Sequence, residues 1–286
     1  MDDRNAVLTD RVALVTGASR GLGAATARAL AAQGADVVLT YRKRAEEAEA
    51  VAEQVRAAGR RAWTVQCELG EEDSIAALIE AVASVPGRVD ILVANAAATS
   101  FRPLMQAERR HVERTFAISV SGFLQLVQGV VPLMPEGGGR IVVVSGADTR
   151  TWIPGHGLLA AAKAAMESMV AYLGCELGPE GTTVVGVSPG WLDGESIEQM
   201  LGPFYDTAMV AERETHPMRR TVSPDEAAEV VALLCTDAAR FLNGSTVESD
   251  GAGIFALLGR YSVMGAKVAL AKKPDLDPNE APAVPL

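Results

Sequence analysis

Cysteine is scarce: Cys67, Cys175 and Cys235 are the only three, far apart and with no C-x-x-C pair. That excludes a disulfide framework or a thiolate zinc site, and fits a reducing compartment with the thiols as buried small hydrophobes. Histidine is equally sparse. His111, His156 and His216 stand apart from one another and from carboxylates at ligand spacing, so no metal centre is expected. Positive charge is short too, with 26 Lys and Arg against 36 Asp and Glu, and the net charge of −10 argues against nucleic acid or an anionic membrane as partner. No run of about 18 apolar residues occurs, and Met1-Asp2-Asp3-Arg4 lacks the apolar core of a signal, so a soluble, cytoplasmic chain is expected. Internal repeats are absent. The one biased segment is Pro- and acid-rich, beyond Lys272, and residues 260–286 are expected to be an arm or a disordered tail.

What the chain does contain is organised around residues 12–23, where the apolar run Val12-Ala13-Leu14-Val15 stops at Thr16-Gly17 and restarts as an alanine-rich, helix-forming segment after Gly23. This reads as strand, tight turn, helix. Gly17 serves the turn, Gly21 lets backbone approach a ligand, and Gly23 lets the helix lie close to the strand. Unpaired N–H groups and the dipole at that helix start suit a pyrophosphate. An ordinary βα turn could carry three glycines too, but the N-terminal position and both flanking elements favour nucleotide binding.

The rest of the 286 residues alternates in the same way. Strands are expected over 35–40, 62–66, 89–93, 140–145, 183–187 and 245–249, with helices over 45–58, 72–84, 107–130, 158–177 and 224–236. Alternation of this kind implies an α/β chain with one doubly wound parallel sheet of about seven strands, right-handed crossovers, and helices on both faces. Residues 191–223 are too long for a simple connection. With Trp191, Met200, Leu201, Phe204, Tyr205 and Met209 at helical spacing, they are expected to form one or two short helices over the cofactor as a substrate lid, for an apolar or flat substrate.

The end of the second strand decides the nucleotide. An acid there would accept hydrogen bonds from adenosine ribose hydroxyls, whereas cations favour a 2′-phosphate. This sequence has Arg42 and Lys43, joined by Arg20 of the glycine loop, so NADP(H) is expected over NAD(H).

From about Asp10 to Gly253 these residues resemble the short-chain dehydrogenase/reductase family. The resemblance is carried by T-G-x-x-x-G-x-G at Thr16 to Gly23, Asn95-Ala96-Ala97, Lys163 in an Ala-rich helix, Pro189-Gly190 and Asp250-Gly251. Arg102-Pro103-Leu104-Met105 and Tyr172 to Leu177 look closest to its NADPH-dependent enoyl-acyl carrier protein reductase branch. The resemblance implies a single Rossmann domain over 1–259, a homotetramer or homodimer, and a nicotinamide cofactor. Cofactor contacts would come from Gly17, Ser19, Arg20, Gly21, Leu22, Gly23, Arg42, Lys43, Glu68, Leu69, Asn95, Ala96, Ala97, Lys163, Pro189, Gly190 and Leu192.

The family's catalytic set is mostly missing. Leu159 stands four residues before Lys163, where the family's general-acid tyrosine belongs; Gly146 replaces its serine, beside Ser145, and Ser119 its asparagine. A leucine cannot donate a proton, and losing a positioned general acid costs about 10²–10⁴ in rate. In the enoyl reductase branch the tyrosine lies seven residues before the lysine, which here is His156. Set at the start of helix 158–177, a neutral imidazole could donate to a carbonyl or enolate oxygen, or the residue could be a loop histidine without a role. Ser145 could be a substrate ligand or a turn residue. Asp148 lies nearby, but sequence alone supports no Ser-His-Asp geometry. The expected function is NADP(H)-dependent reduction of a carbonyl or conjugated double bond in an apolar small molecule, acyl-carrier-bound or a secondary metabolite, with Lys163, His156 and Ser145 as catalytic candidates. The alternatives are a non-redox step such as cyclisation, isomerisation or elimination, or an NADPH-binding protein without turnover.

Overall fold

The computed structural model of the protein describes residues 7–195, 197–198 and 202–256; the expected tail at 260–286, and Met200 and Leu201 of the expected lid, lie outside them. Seven strands form one parallel sheet: β1 (Val12–Val15), β2 (Asp36–Tyr41), β3 (Ala62–Gln66), β4 (Ile91–Ala94), β5 (Arg140–Val144), β6 (Thr183–Ser188) and β7 (Thr246–Glu248). Their order is β3-β2-β1-β4-β5-β6-β7. Chain direction along the sheet reverses between β1 and β4, and that switch point opens a crevice beyond the strands' C-terminal ends.

Side chains of the central strands alternate between two buried layers, which is why β1 and β4 read as unbroken apolar runs. Ala13, Val15, Ile91, Val93, Val142 and Val144 enter a core closed by α1 (Gly21–Ala32), α2 (Ala45–Ala57) and the helix Pro224–Leu234. Val12, Leu14, Leu92, Ile141 and Val143 enter the opposite core, closed by α3 (Glu72–Ser84), a helical run from Arg109 to Val130, and the long helix Gly157–Leu177. Among the described residues two helical stretches, Arg109–Leu133 and Gly157–Glu180, have the length and hydropathy of a membrane span. Phe123, Leu126, Met166 and Val170 from them fill this second core, as an apolar core helix requires.

Two expectations need correction. Cys175 is exposed, because the buried face of its helix runs through Ala162, Met166, Val170 and Leu173; Cys67 and Cys235 are buried. The helix expected over 107–130 is two, α4 (Arg109–Phe116) and α5 (Gly122–Val130), joined by a π turn at Ala117–Ser121. The turn ends at Gly122, where a Cβ would stand 2.0 Å from the Leu69 carbonyl oxygen, so the chain passes Leu69 only with the wider turn and no side chain. Hereafter α6 is Gly157–Leu177, α7 Tyr205–Thr215 and α8 Pro224–Leu234. Residues 191–223 contain α7, and Met209 on it is buried.

Candidate active site

The turn after β1 is tied to both neighbouring strands. The Thr16 hydroxyl, fully buried, accepts the backbone N–H groups of Asn95 and Ala96 at 3.0 Å each, and Asn95 Nδ2 donates to the Thr16 carbonyl at 2.9 Å. Gly17 N–H donates to the Thr40 hydroxyl at 3.2 Å and Ala18 N–H to the Thr40 carbonyl at 2.8 Å. Gly17 and Gly21 adopt φ of +65° and +55°, the left-handed region that glycine enters without strain. A Cβ on Gly23 would lie 2.4 Å from the Gly17 carbonyl oxygen and 2.6 Å from Asn95 Nδ2, so α1 seats on the turn only with glycine there.

This cradle fits a dinucleotide. The N-cap of α1, Arg20, makes no side-chain capping bond, and its first turn holds no acid, leaving the leading N–H groups and the dipole for a pyrophosphate. Gly23→Ala is expected to weaken NADPH binding at least tenfold and to lower stability by about 1–3 kcal/mol, through overpacking against rigid backbone. Calorimetric titration and thermal unfolding check both.

Beyond β2, Arg42 Nε lies 3.6 Å from Glu68, and Lys43 is exposed. Arg20 and Arg44 both hold Glu195, at 2.8 and 2.9 Å, and Arg20 ahead of Arg44 keeps that carboxyl below the usual carboxylate range. Arg44 was not among the expected contacts; it sits at the N-cap of α2, where a basic residue reads as solvated charge. Leu69 is buried with its carbonyl against Gly122, and Ala97 follows Ala96 out of β4. Pro189 and Gly190 leave β6 against the Asp250-Gly251 corner: a Cβ on Gly190, at φ +75°, would fall 2.5 Å from the Asp250 Cβ. Leu192 then bridges to Val222.

Ser145, His156 and Lys163 gather beyond β5 and the start of α6. His156 is the N-cap of α6, and its Nδ1 lies 3.2 Å from Asp148 Oδ2, both side chains being largely buried. The Phe101 ring stands against the imidazole, centroids 4.8 Å apart. Gly146, at the family's serine position, makes room for Asp148: a Cβ there would stand 2.7 Å from Asp148 Oδ1. Lys163 is buried and donates through Nζ to the Val144 carbonyl. Burial pushes its ammonium down to about 8, against the opposing pull of Asp148 and, less, Glu167. Ser145 does not join the Asp-His pair. Its hydroxyl donates to Glu167 Oε1 at 2.5 Å, beside Thr149 at 2.9 Å. Ser119 lies in the π turn, its hydroxyl buried without a hydrogen-bond partner among the described residues.

Glu167 is absent from the sequence candidates, and Asp148 is noted there without a role. Glu167 had a signal, since it lies one helical turn beyond Lys163 on the same face. Asp148 had none beyond proximity, because its place depends on the course of the 3₁₀ turn at Ala147–Thr149. Beside the pair stand Phe101 and Leu104, the latter against Gly157; with Met105 and Trp152 they are exposed apolar side chains on two segments that meet through Arg102 N–H and the Gly155 carbonyl at 3.0 Å. The chemistry available is proton transfer at an imidazole oriented by a carboxylate, beside a buried cation and an apolar rim.

A family model described as enoyl-(acyl carrier protein) reductase matches residues 17–252. The chain is 33% identical over 267 residues to the 1-cyclohexenylcarbonyl-CoA reductase of Streptomyces collinus, covering 93% of this chain and 95% of that one. Among solved structures it superposes on a short-chain dehydrogenase from Burkholderia cenocepacia in complex with NADP, with a TM-score of 0.79, 34% identity, and 86% and 99% of the two chains covered. It also superposes on the angucycline C-6 ketoreductase LanV with bound NADP, with a TM-score of 0.80, 31% identity, and 87% and 97% covered.

Proposed function

The chain belongs to the short-chain dehydrogenase/reductase family and is an NADP(H)-dependent oxidoreductase of that type; we propose that it reduces a carbonyl or conjugated double bond in a cyclic, apolar substrate, with Asp148 and His156 in place of the family's tyrosine. The observation that carries this reading is the 3.2 Å contact between His156 Nδ1 and Asp148 at the head of α6, four residues upstream of the missing tyrosine's neighbour Ala160 and on the same helix as Lys163.

When bound, the nicotinamide supplies the hydride. The protein's own part is proton handling. His156 donates Nδ1–H to Asp148, which fixes the ring's orientation. In the imidazolium form, whose charge the Asp148 carboxylate opposes, the ring gives its second proton from Nε2 to the substrate oxygen and becomes a neutral imidazole still hydrogen-bonded to Asp148; solvent then returns the proton. Conjugate reduction asks less of this pair, because a donor need only stabilise an enolate oxygen. Lys163, lying one to two turns into α6, orients the ribose that the resemblance assigns to it. The apolar rim of Phe101, Leu104, Met105 and Trp152 suits a flat or alicyclic substrate, as do the ring substrates named for the relatives.

The test is NADPH oxidation with a panel of cyclic enoyl thioesters and polycyclic ketones. Substrate-dependent oxidation with a reduced product is expected. Product formed without net NADPH consumption would replace this reading by the non-redox one, for which an Asp-oriented histidine could also take a proton.

A further inference from the structure

Arg20 of the glycine loop and Arg42 and Arg44 beyond β2 are already engaged by carboxylates. Arg20 Nη1 and Arg44 Nη2 approach the same oxygen, Glu195 Oε1, at 2.8 and 2.9 Å, so one carboxylate oxygen sits between a guanidinium from the glycine loop and one from the start of α2. Glu195 does not reach there from a loose chain. The strap leading to it from Pro189-Gly190 is fastened at Leu192 by its bridge to Val222 and at Asp193 by an N–H to the Val222 carbonyl at 3.1 Å. The Asp193 carboxylate in turn accepts the Tyr205 hydroxyl, and Arg213 and Thr221 lie at 3.3 and 3.5 Å. An anionic oxygen between two guanidinium groups is also the arrangement a phosphate monoester seeks.

We propose that Glu195 occupies the seat of the cofactor's 2′-phosphate between Arg20 and Arg44, so that a 2′-phosphorylated nucleotide binds by displacing Glu195 and shifting the strap that carries Leu192. The proposal rests on the NADP(H) reading above and adds a specificity-determining residue to it. A dianionic phosphate can compete for the two guanidinium groups, whereas a 2′-hydroxyl brings no charge with which to do so. Glu195 therefore lowers affinity for the phosphorylated nucleotide while coupling its arrival to movement beside the substrate site. It leaves the non-phosphorylated nucleotide untouched.

The fragments 2′,5′-ADP and ADP, titrated calorimetrically into the full chain, isolate this contact from turnover. Glu195 is partly exposed, so Glu195→Gln removes the charge without threatening the fold. The variant is expected to bind 2′,5′-ADP about three- to tenfold more tightly than wild type, with ADP unchanged. In wild type, 2′,5′-ADP but not ADP is expected to change tryptophan emission, through Trp191 on the strap; Trp191→Phe should remove the change. If wild type prefers 2′,5′-ADP and the variant binds it no more tightly, the displacement idea falls while the NADP(H) reading stands. A loss of ADP affinity in the variant would make Glu195 a ribose ligand and overturn it as well. If wild type and variant alike bind the two fragments equally, the NADP(H) reading fails and the proposal falls with it.

Discussion

His156→Ala is expected to lower kcat by about 10²–10⁴ while NADPH affinity stays within about twofold, because the variant loses the group that moves the proton and none that holds the nucleotide. Asp148→Asn tests the other half of the pair. An amide can accept the Nδ1 proton's hydrogen bond only through its oxygen, and can equally present its NH₂ to the ring, so part of the population adopts the wrong tautomer, and the charge opposite a protonated ring is gone. The expected loss is smaller than for His156→Ala but of the same kind, in kcat more than in KM. The decisive quantity is the double variant. If Asp148 acts through His156, removing both costs no more than removing His156 alone; independent roles would make the two losses multiply. A His156→Ala enzyme within threefold of wild type would dismiss the pair as the site of proton transfer.

The fold was legible because its central strands are covered on both faces. Four-residue runs such as Val12 to Val15 and Ile91 to Ala94 are apolar at every position, and short apolar runs alternating with helical periods leave little but a parallel doubly wound sheet. The nucleotide cradle was legible for a related reason: the left-handed φ at Gly17 and Gly21 and the 2.4 Å approach of a Gly23 Cβ to the Gly17 carbonyl lie within one short segment, although Asn95 crowds Gly17 and Gly23, and Ala96 Gly17, from the far side. The proton-handling group was not. His156 could be placed at a helix start by its flanking Pro154-Gly155 and Gly157, but its partner depends on a 3₁₀ turn and on a glycine at 146 that lets a carboxylate swing in. The π turn at Ala117–Ser121 was also hidden, since only the Leu69 backbone across the crevice shows why Gly122 has to slip past it. Glu195 is the extreme case: Arg20, Arg44 and Glu195 come from three separated segments, and no spacing connects them.

Lys163→Met is expected to abolish most activity and yet stabilise the protein. Lys163 is buried, with its ammonium pushed down to about 8 from an ordinary 10.5, chiefly by loss of hydration. Below about pH 8 the folded chain therefore carries, away from water, a cation that the unfolded chain keeps hydrated, and the full penalty applies. Between about pH 8 and 10.5 the folded lysine is neutral while the unfolded one still binds a proton, so stability rises with pH across that window and levels off above it. A shift of that size corresponds to roughly 3 kcal/mol, and Met reproduces the neutral side chain's shape, forfeiting only the hydrogen bond to the Val144 carbonyl, worth about 1 kcal/mol. At pH 7 the variant is expected to gain roughly 2 kcal/mol in urea unfolding and to lose the alkaline rise that wild type shows. Activity moves the other way, with kcat/KM down by about 10²–10³ for want of the cation, and with the wild-type rate declining above about pH 8 as that cation discharges. Asp148 and Glu167 raise the lysine's proton affinity but do not outweigh burial, so the penalty is held in place by the enclosure that the reaction needs. A Lys163→Met protein less stable than wild type at pH 7, with the alkaline rise intact, would place the burial penalty on some other group.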